Sequence, residues 1–263
     1  MAQLPLGVSR VPVRRVVDDY GPVGQGVSLA RYVSAENGTE YIIKGPYLTP
    51  HHKYVAANEL IAATLAGILS LPVLDVCILE MAGRLYFGST WMQTPTFVPQ
   101  ISSTLFARCD NRERVYDILA FDIFVCNTDR HSGNLIVRTT TPAHGAPGRR
   151  LLLMNDHSHC LVLPNEVVTV LTGRITASPQ AYVRLDFARD AITDPTKLSE
   201  AVANIERLTD ADIIGVVQCV PEEFLPYAER GIFMSFLRER RSNLRDIINR
   251  NLAVFPQLKG GQI

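Results

Sequence analysis

The sequence predicts an α+β fold, with a small β-rich N-terminal part that holds one helix and a larger, mainly helical C-terminal part. Short runs rich in β-branched residues recur before residue 95, and Asn37-Gly38 is a hairpin signal between two of them. Beyond residue 110, apolar residues recur mostly at helical spacing. We therefore expect two domains, comprising residues 1–95 and residues 96–263.

The N-terminal part contains strand-like stretches on both sides of one helical pattern. The helical pattern is HHKYVAANELIAATLAGILS, in which Val55, Ala62 and Leu65 recur at helical spacing, and Ser70-Leu71-Pro72 ends it. The predicted strands are VPVRRVV, GVSLARYVS, EYIIKGP, VLDVCILEM and RLYFGSTWM.

The C-terminal part begins with a predicted helix, RERVYDILAFDIFVC, which leads into the polar segment CNTDRHSGNLIV at residues 126–137. Two apolar strands, NLIVRTT and RRLLLMND, follow around a long loop. The remainder is predicted to be helical, with Thr209 as an N-cap and a long final helix opening at Pro221.

Composition limits the functional class. The 263 residues are 47% apolar and 20% charged, with zero formal net charge, which is typical of a globular protein and gives no specific signal for nucleic acid or a membrane surface. No signal-peptide pattern and no apolar run of about 18 residues is present, so we expect a cytoplasmic protein. Five cysteines without a CxxC pair favour reduced thiols over disulfides.

Four elements in a fixed order carry the chemical hypothesis. A lysine ends a strand (Lys44), a glutamate lies within a helix (Glu59), Asp129 and Asn134 share a loop with D-x-x-x-x-N spacing, and Asp156 ends a strand. Phosphoryl transfer from ATP needs a cation on the phosphates, hard oxygen ligands for magnesium and a carboxylate at the attacking hydroxyl. Protein-kinase catalytic loops use the same Asp–Asn spacing.

Each residue also has a simpler interpretation. Lys44 can reach water from a strand end, Glu59 can be a solvated helical residue, and Asp129 with Asn134 can form an ordinary turn. The glycine-containing loop GPVGQG (21–26) is a weak signal for a phosphate-covering loop. A rival transition-metal site would use His131, His157 and His159 with Asp156, since imidazole suits zinc or iron.

The segments NTDRHSGNLIV and LLLMNDHS resemble the HipA-like kinases and, more distantly, the phosphatidylinositol 3/4-kinase group, which shares an Asp-Arg-His-x-x-Asn loop. EYIIKG, ANELIAATLAGILSLPV and FGSTWM also resemble the N-terminal lobe of HipA-like domains. The resemblance runs from about residue 10 to residue 160. It departs from the kinase Asp-Phe-Gly pattern at Asp156, which is followed by His-Ser-His.

The resemblance implies a bilobal protein-kinase-like fold and transfer of the γ-phosphate of Mg-ATP to a hydroxyl, which we expect to be a serine or threonine of a protein substrate. Lys44 would hold the α- and β-phosphates and Glu59 would orient Lys44. Asp129 would be the catalytic aspartate. The resemblance places the remaining roles as follows: Mg²⁺ on Asn134 and Asp156, and adenine against Trp91, Met92 and Gln93. Apart from the resemblance, His131 is a candidate either for the rival metal site or for contact with the transferring phosphate.

Two alternatives to an active kinase stay open at this point. One is a pseudokinase or nucleotide-sensing module that binds partners without transfer. The other is a metal-dependent phosphohydrolase that uses the histidines. The phosphate acceptor and an antitoxin or other regulatory partner are also left open by the sequence.

Overall fold

The computed structural model describes residues 11–23, 29–91, 101–140, 148–178, 185, 187–255, 257, 258 and 263. The strands are β1 (Val13–Pro22), β2 (Arg31–Ala35), β3 (Glu40–Lys44), β4 (Val76–Met81), β5 (Arg84–Thr90), β6 (Leu135–Thr139) and β7 (Arg150–Met154). The helices are α1 (Val55–Ile68), α2 (Ser103–Ala107), α3 (Val115–Phe124), α4 (Val170–Arg174), α5 (Pro195–Glu206), α6 (Asp210–Gln218) and α7 (Tyr227–Arg250).

The first five strands close into a barrel in the order β1-β2-β3-β5-β4. Neighbouring strands are antiparallel except β4 and β1, whose parallel pairing of Val13 with Ile78 closes the ring. The predicted Asn37-Gly38 turn joins β2 to β3, with Gly38 at φ 73°. Closure leaves no long unpaired edge in the described strands.

Successive side chains along each strand point alternately into the barrel and away from it. Side chains of Ile43, Leu79 and Tyr86 fill the barrel interior. Ile78 and Phe87 point the other way and join the core formed with α1. Lys44 is the Cα partner of Phe87 in the β3–β5 ladder, so its side chain starts from the face that α1 covers.

The larger core lies among the helices and reaches across to α1. Phe121 and Phe124 of α3, Phe236 of α7 and Ile61 of α1 are almost fully buried in one cluster. Helix α1 packs against α6, although it comes from the part of the chain predicted to be a separate lobe. The α+β prediction is confirmed. A clean division into two lobes is not seen, since α1 packs into the core of the helical part.

The start of the final helix was predicted wrongly. Helix α7 begins at Tyr227, and residues 221–225 form turns instead of helix. Phe224 and Leu225 are buried although they precede the helix, Ala228 is exposed, and Phe233 of α7 is buried. Thr209 caps α6 as predicted, in a reciprocal capping box with Asp212. None of the helices in the described part of the chain is long and apolar enough to cross a bilayer.

Candidate active site

Lys44 lies at the centre of a buried ion triad. Its Nζ is 2.6 Å from Glu59 Oε1 and 2.7 Å from Asp156 Oδ1. The lysine is 7% exposed and the glutamate 2%, so neither simple interpretation as a solvated residue holds for them. The strand, the helix and the segment after β7 therefore meet at one ammonium group.

The triad shifts the ionisation of its members. Burial alone would lower the pKa of Lys44, but the carboxylates of Asp156 and Glu59 outweigh it and raise that pKa above the ordinary value. Burial would also raise the pKa of Asp156, yet Lys44 and hydrogen bonds from Ser158 hold it well below its usual range. Both groups are charged at neutral pH.

The β6–β7 hairpin brings the two halves of the candidate site together. Leu135 at the start of β6 pairs with Met154 at the end of β7, so the residues just outside the ladder are neighbours. Asn155 N donates to Asn134 O at 3.1 Å. Asn134 Nδ2 in turn donates to the carbonyl oxygen of Asp129 at 2.8 Å. The D-x-x-x-x-N segment is therefore a folded loop held beside the Asp156 segment.

Asp156 has a special backbone conformation. Its φ is 54°, in the left-handed region that costs a non-glycine residue free energy unless its surroundings impose it. Ser158 imposes it in part, because its N and Oγ both donate to Asp156 Oδ1, at 3.1 and 2.6 Å. Glu59 Oε2 accepts from the next amide, His157 N, at 2.9 Å. Helix α1 thus fixes the turn that carries Asp156.

A buried ion pair that the sequence interpretation missed holds the D-x-x-x-x-N loop against helix α3. Arg130 is fully buried and donates through Nε to Asp122 Oδ2 at 2.9 Å. Its Nη1 also donates to the carbonyl oxygens of Asn134 and Asn155, at 2.6 and 2.5 Å. One guanidinium therefore joins α3, the loop and the end of β7. The signal was present as an aspartate among the apolar residues of α3.

The three histidines of the rival metal site do different things. His157 is 2% exposed and its ring meets Phe121 edge-on. His131 Nε2 and His159 Nδ1 each lie 3.8 Å from Asp129 Oδ2. Within the segments that the structure describes, no three His, Cys, Asp or Glu side chains form a group suited to a metal ion.

The predicted adenine contacts are described only in part. Trp91 follows β5 directly, its N donates to Glu40 O at 2.8 Å, and its ring lies 5.7 Å from that of Tyr32. Met92 and Gln93, the other predicted contacts, and residues 24–26 of the glycine-containing loop lie outside the described residues.

The site contains two oxygen atoms of the kind that bind a magnesium ion. Asn134 donates through Nδ2, so Oδ1 is the atom that it would offer to a cation. The contacts of Asp156 with Lys44 and Ser158 all involve Oδ1, which leaves Oδ2. Lys44 faces two carboxylates, so the group carries excess negative charge, and Mg²⁺ prefers such hard oxygen ligands.

One family model matches the part of the chain that contains most of the candidate site residues. Residues 16–144 match the model described as HipA-like kinase. The chain resembles the HipA-like kinases. This confirms the resemblance inferred from the sequence. The matched range contains Lys44, Glu59, Asp129 and Asn134, whereas Asp156 lies beyond it. A search of curated protein sequences finds no significant match.

A solved structure extends the likeness of fold over 94% of the chain. The crystal structure of the Helicobacter pylori proinflammatory kinase CtkA matches with a TM-score of 0.61 and 13% identity, covering 94% of this chain and 98% of that one. This likeness shows a shared kinase fold. HipA of the Shewanella oneidensis MR-1 toxin–antitoxin system, solved with HipB and operator DNA, matches with a TM-score of 0.49 and 12% identity, covering 94% of this chain and 69% of that one.

Proposed function

We propose that this protein is an ATP-dependent kinase that transfers the γ-phosphate of Mg-ATP to a serine or threonine hydroxyl of a protein substrate. The observation that carries the proposal is the buried contact of Lys44 with both Glu59 and Asp156. An ammonium held between two carboxylates, beside a loop with a further Asp and Asn, supplies the charges that phosphoryl transfer needs. The match to HipA-like kinases supports the same reaction class.

The chain's own residues have distinct roles in this proposal. Lys44 binds the nonreacting phosphates, and Glu59 keeps its ammonium at the end of β3. Asp129 orients the acceptor hydroxyl and accepts its proton as the oxygen forms a bond to the γ-phosphorus. The bond from that phosphorus to the bridging oxygen breaks, and ADP leaves. Most of the rate comes from this positioning and from charge stabilisation.

Asn134 and Asp156 would hold the magnesium ion, which neutralises phosphate charge when bound. The barrel, including β3, would cover the phosphates as the smaller lobe of a kinase. The segment after β5, with Trp91, Met92 and Gln93, would lie against adenine. His131 would lie near the transferring phosphate, since its Nε2 lies 3.8 Å from Asp129 Oδ2.

The test is transfer of labelled γ-phosphate, to the protein itself and to a panel of protein substrates. We expect the wild type to label a substrate in the presence of magnesium. Asp129→Asn should lower the rate by about a hundredfold or more, because general-base and electrostatic contributions are of that size.

Asp246→Asn is the matched control, since Asp246 is exposed on α7 and the same charge is removed. It should keep the wild-type rate. Equal labelling by wild type and Asp129→Asn would refute the role of Asp129. Binding of Mg-ATP without transfer to any member of the panel would favour the nucleotide-sensing alternative.

A further inference from the structure

We propose that His159 is a positioning residue that links the two functional carboxylates, Asp156 and Asp129, through its Nδ1–H group. The inference rests on the proposed kinase function and adds a residue to its machinery. One atom of the ring, His159 Nδ1, lies 3.1 Å from Ser158 Oγ and 3.8 Å from Asp129 Oδ2.

The first link is a hydrogen-bond chain from Asp156. Ser158 Oγ lies 2.6 Å from Asp156 Oδ1 and donates its only proton there, since that carboxylate oxygen also accepts from Lys44 Nζ at 2.7 Å. The same Oγ lies 3.1 Å from His159 Nδ1. Since the hydroxyl proton is already used, Oγ accepts at this second contact, and Nδ1 must carry the proton.

The second link runs to Asp129. The protonated Nδ1 of His159 is 3.8 Å from Asp129 Oδ2, beyond a full hydrogen bond but close enough for electrostatic attraction. His131 approaches the same oxygen from Nε2, also at 3.8 Å, while its Nδ1 accepts from Gly133 N. Two imidazole N–H groups therefore face Asp129 Oδ2.

The backbone of His159 braces the same loop. Its carbonyl oxygen accepts from Thr128 N at 3.1 Å and lies 3.3 Å from Thr128 Oγ1. Residue 128 directly precedes Asp129, so the main chain of His159 holds the position of the loop backbone. The ring of His159 acts on the direction of the carboxylate together with His131 Nε2 and Asn134 Nδ2, which lies 3.5 Å from Asp129 Oδ2. This separates a structural role of the backbone from a positioning role of the ring.

The consequence is a fixed relation between the carboxylate that binds magnesium and the one that receives the proton. With Nδ1–H attracting Oδ2, the ring of His159 helps to hold the carboxylate of Asp129 in one orientation toward the acceptor hydroxyl. Loss of the ring should therefore slow transfer and leave nucleotide affinity nearly unchanged. Substitution of groups that orient a functional residue commonly costs about tenfold to a hundredfold in activity.

The experiment compares His159→Asn with His159→Leu in steady-state phosphate transfer. Asparagine places a neutral N–H near the position of Nδ1, whereas leucine keeps the size and removes the donor. We expect His159→Leu to lose about tenfold to a hundredfold in kcat with KM for ATP within about twofold of wild type. His159→Asn should recover most of that loss. His51→Leu, at an exposed histidine, is the control and should match wild type.

A second pair guards against a folding defect. If His159→Leu lowers the Tm by more than about 5 °C, the comparison is made between His159→Asn and His159→Gln, because glutamine carries its amide too far out to reach Ser158. We then expect Asn to be active and Gln to be impaired. The role of His159 would be overturned if the two variants of the pair had equal rates of transfer. It would also be overturned if only KM for ATP changed. Neither result would contradict kinase activity itself. A wild type without transfer would overturn the proposed function and this role together.

Discussion

Removal of the Asp122 carboxylate should destabilise the protein strongly. Asp122 and Arg130 are both fully buried, and Asp122 also accepts from Asn127 Nδ2 at 2.9 Å. Asp122→Asn keeps the size of the side chain and removes its charge. The guanidinium of Arg130 would then remain in the core without its counter-ion.

The magnitude follows from that uncompensated charge. Breaking a buried ion pair by removing one partner costs about 3–5 kcal/mol. A change of about 1 kcal/mol shifts the Tm of a chain of this size by about 2–4 °C. We therefore expect Asp122→Asn to lower the Tm by about 6–20 °C. The backbone bonds from Arg130 to Asn134 and Asn155 should keep the loss near the lower end.

Thermal melts monitored by circular dichroism are the assay, with Asp19→Asn as the matched control. Asp19 forms an ion pair with Arg31 on the barrel, with both side chains about a third exposed, at 29% and 31%. Such a pair is worth about 0–1 kcal/mol. A Tm of Asp122→Asn within about 2 °C of that of Asp19→Asn would refute the inference that Arg130 depends on this carboxylate.

Three further predictions concern the lysine, a buried histidine and the barrel. Lys44→Met should lower phosphate transfer by about a hundredfold, and an unchanged rate in the labelled-phosphate assay would contradict its role. Burial lowers the pKa of His52 to about 4. Between pH 6.5 and 4 the unfolded state therefore binds more protons than the folded state. The free energy of unfolding should fall as the pH falls through this range, by about 3 kcal/mol at most. Melts across that range should show a shallower slope for His52→Gln; identical slopes would exclude this cause. Gly88→Ala would place a Cβ 2.5 Å from Leu79 Cδ1 and should destabilise the protein by about 1–3 kcal/mol. Gly67→Ala on α1 would meet nothing within 4 Å and should stabilise the protein by about 0.5–1 kcal/mol. Denaturant unfolding measures both changes, and a change of the same sign in the free energy of unfolding of the two variants would contradict this prediction.

Local patterns predicted the elements that carry the candidate site. Lys44 is the last residue of β3, Glu59 lies inside α1, and Asp156 lies just after β7. Each of these positions follows from short-range signals: a β-branched run, a helical repeat and an apolar strand with a polar end. Their meeting at one ammonium group needs three elements far apart in the chain.

Long-range relations were the part that the sequence did not reveal. The closure of the barrel depends on parallel pairing between β1 and β4, for which no turn signal exists. The partnership of Asp122 with Arg130 crosses from a helix to a loop, so the aspartate among apolar residues of α3 indicated burial but not its partner. Pro221 is an acceptable helix start, but Pro226 would interrupt a helix that began there, and with ψ 142° it is the N-cap from which α7 begins at Tyr227.

The central claim is that Lys44, Asn134 and Asp156 form one site for the phosphates and metal of a nucleotide. A crystal structure with a non-hydrolysable ATP analogue and Mn²⁺, whose anomalous signal locates the ion, tests it directly. We predict a manganese peak bound by Asn134 and Asp156 and nonreacting phosphates within hydrogen-bond distance of Lys44 Nζ. Manganese and phosphates bound elsewhere, with the Lys44–Asp156 contact intact, would contradict the account.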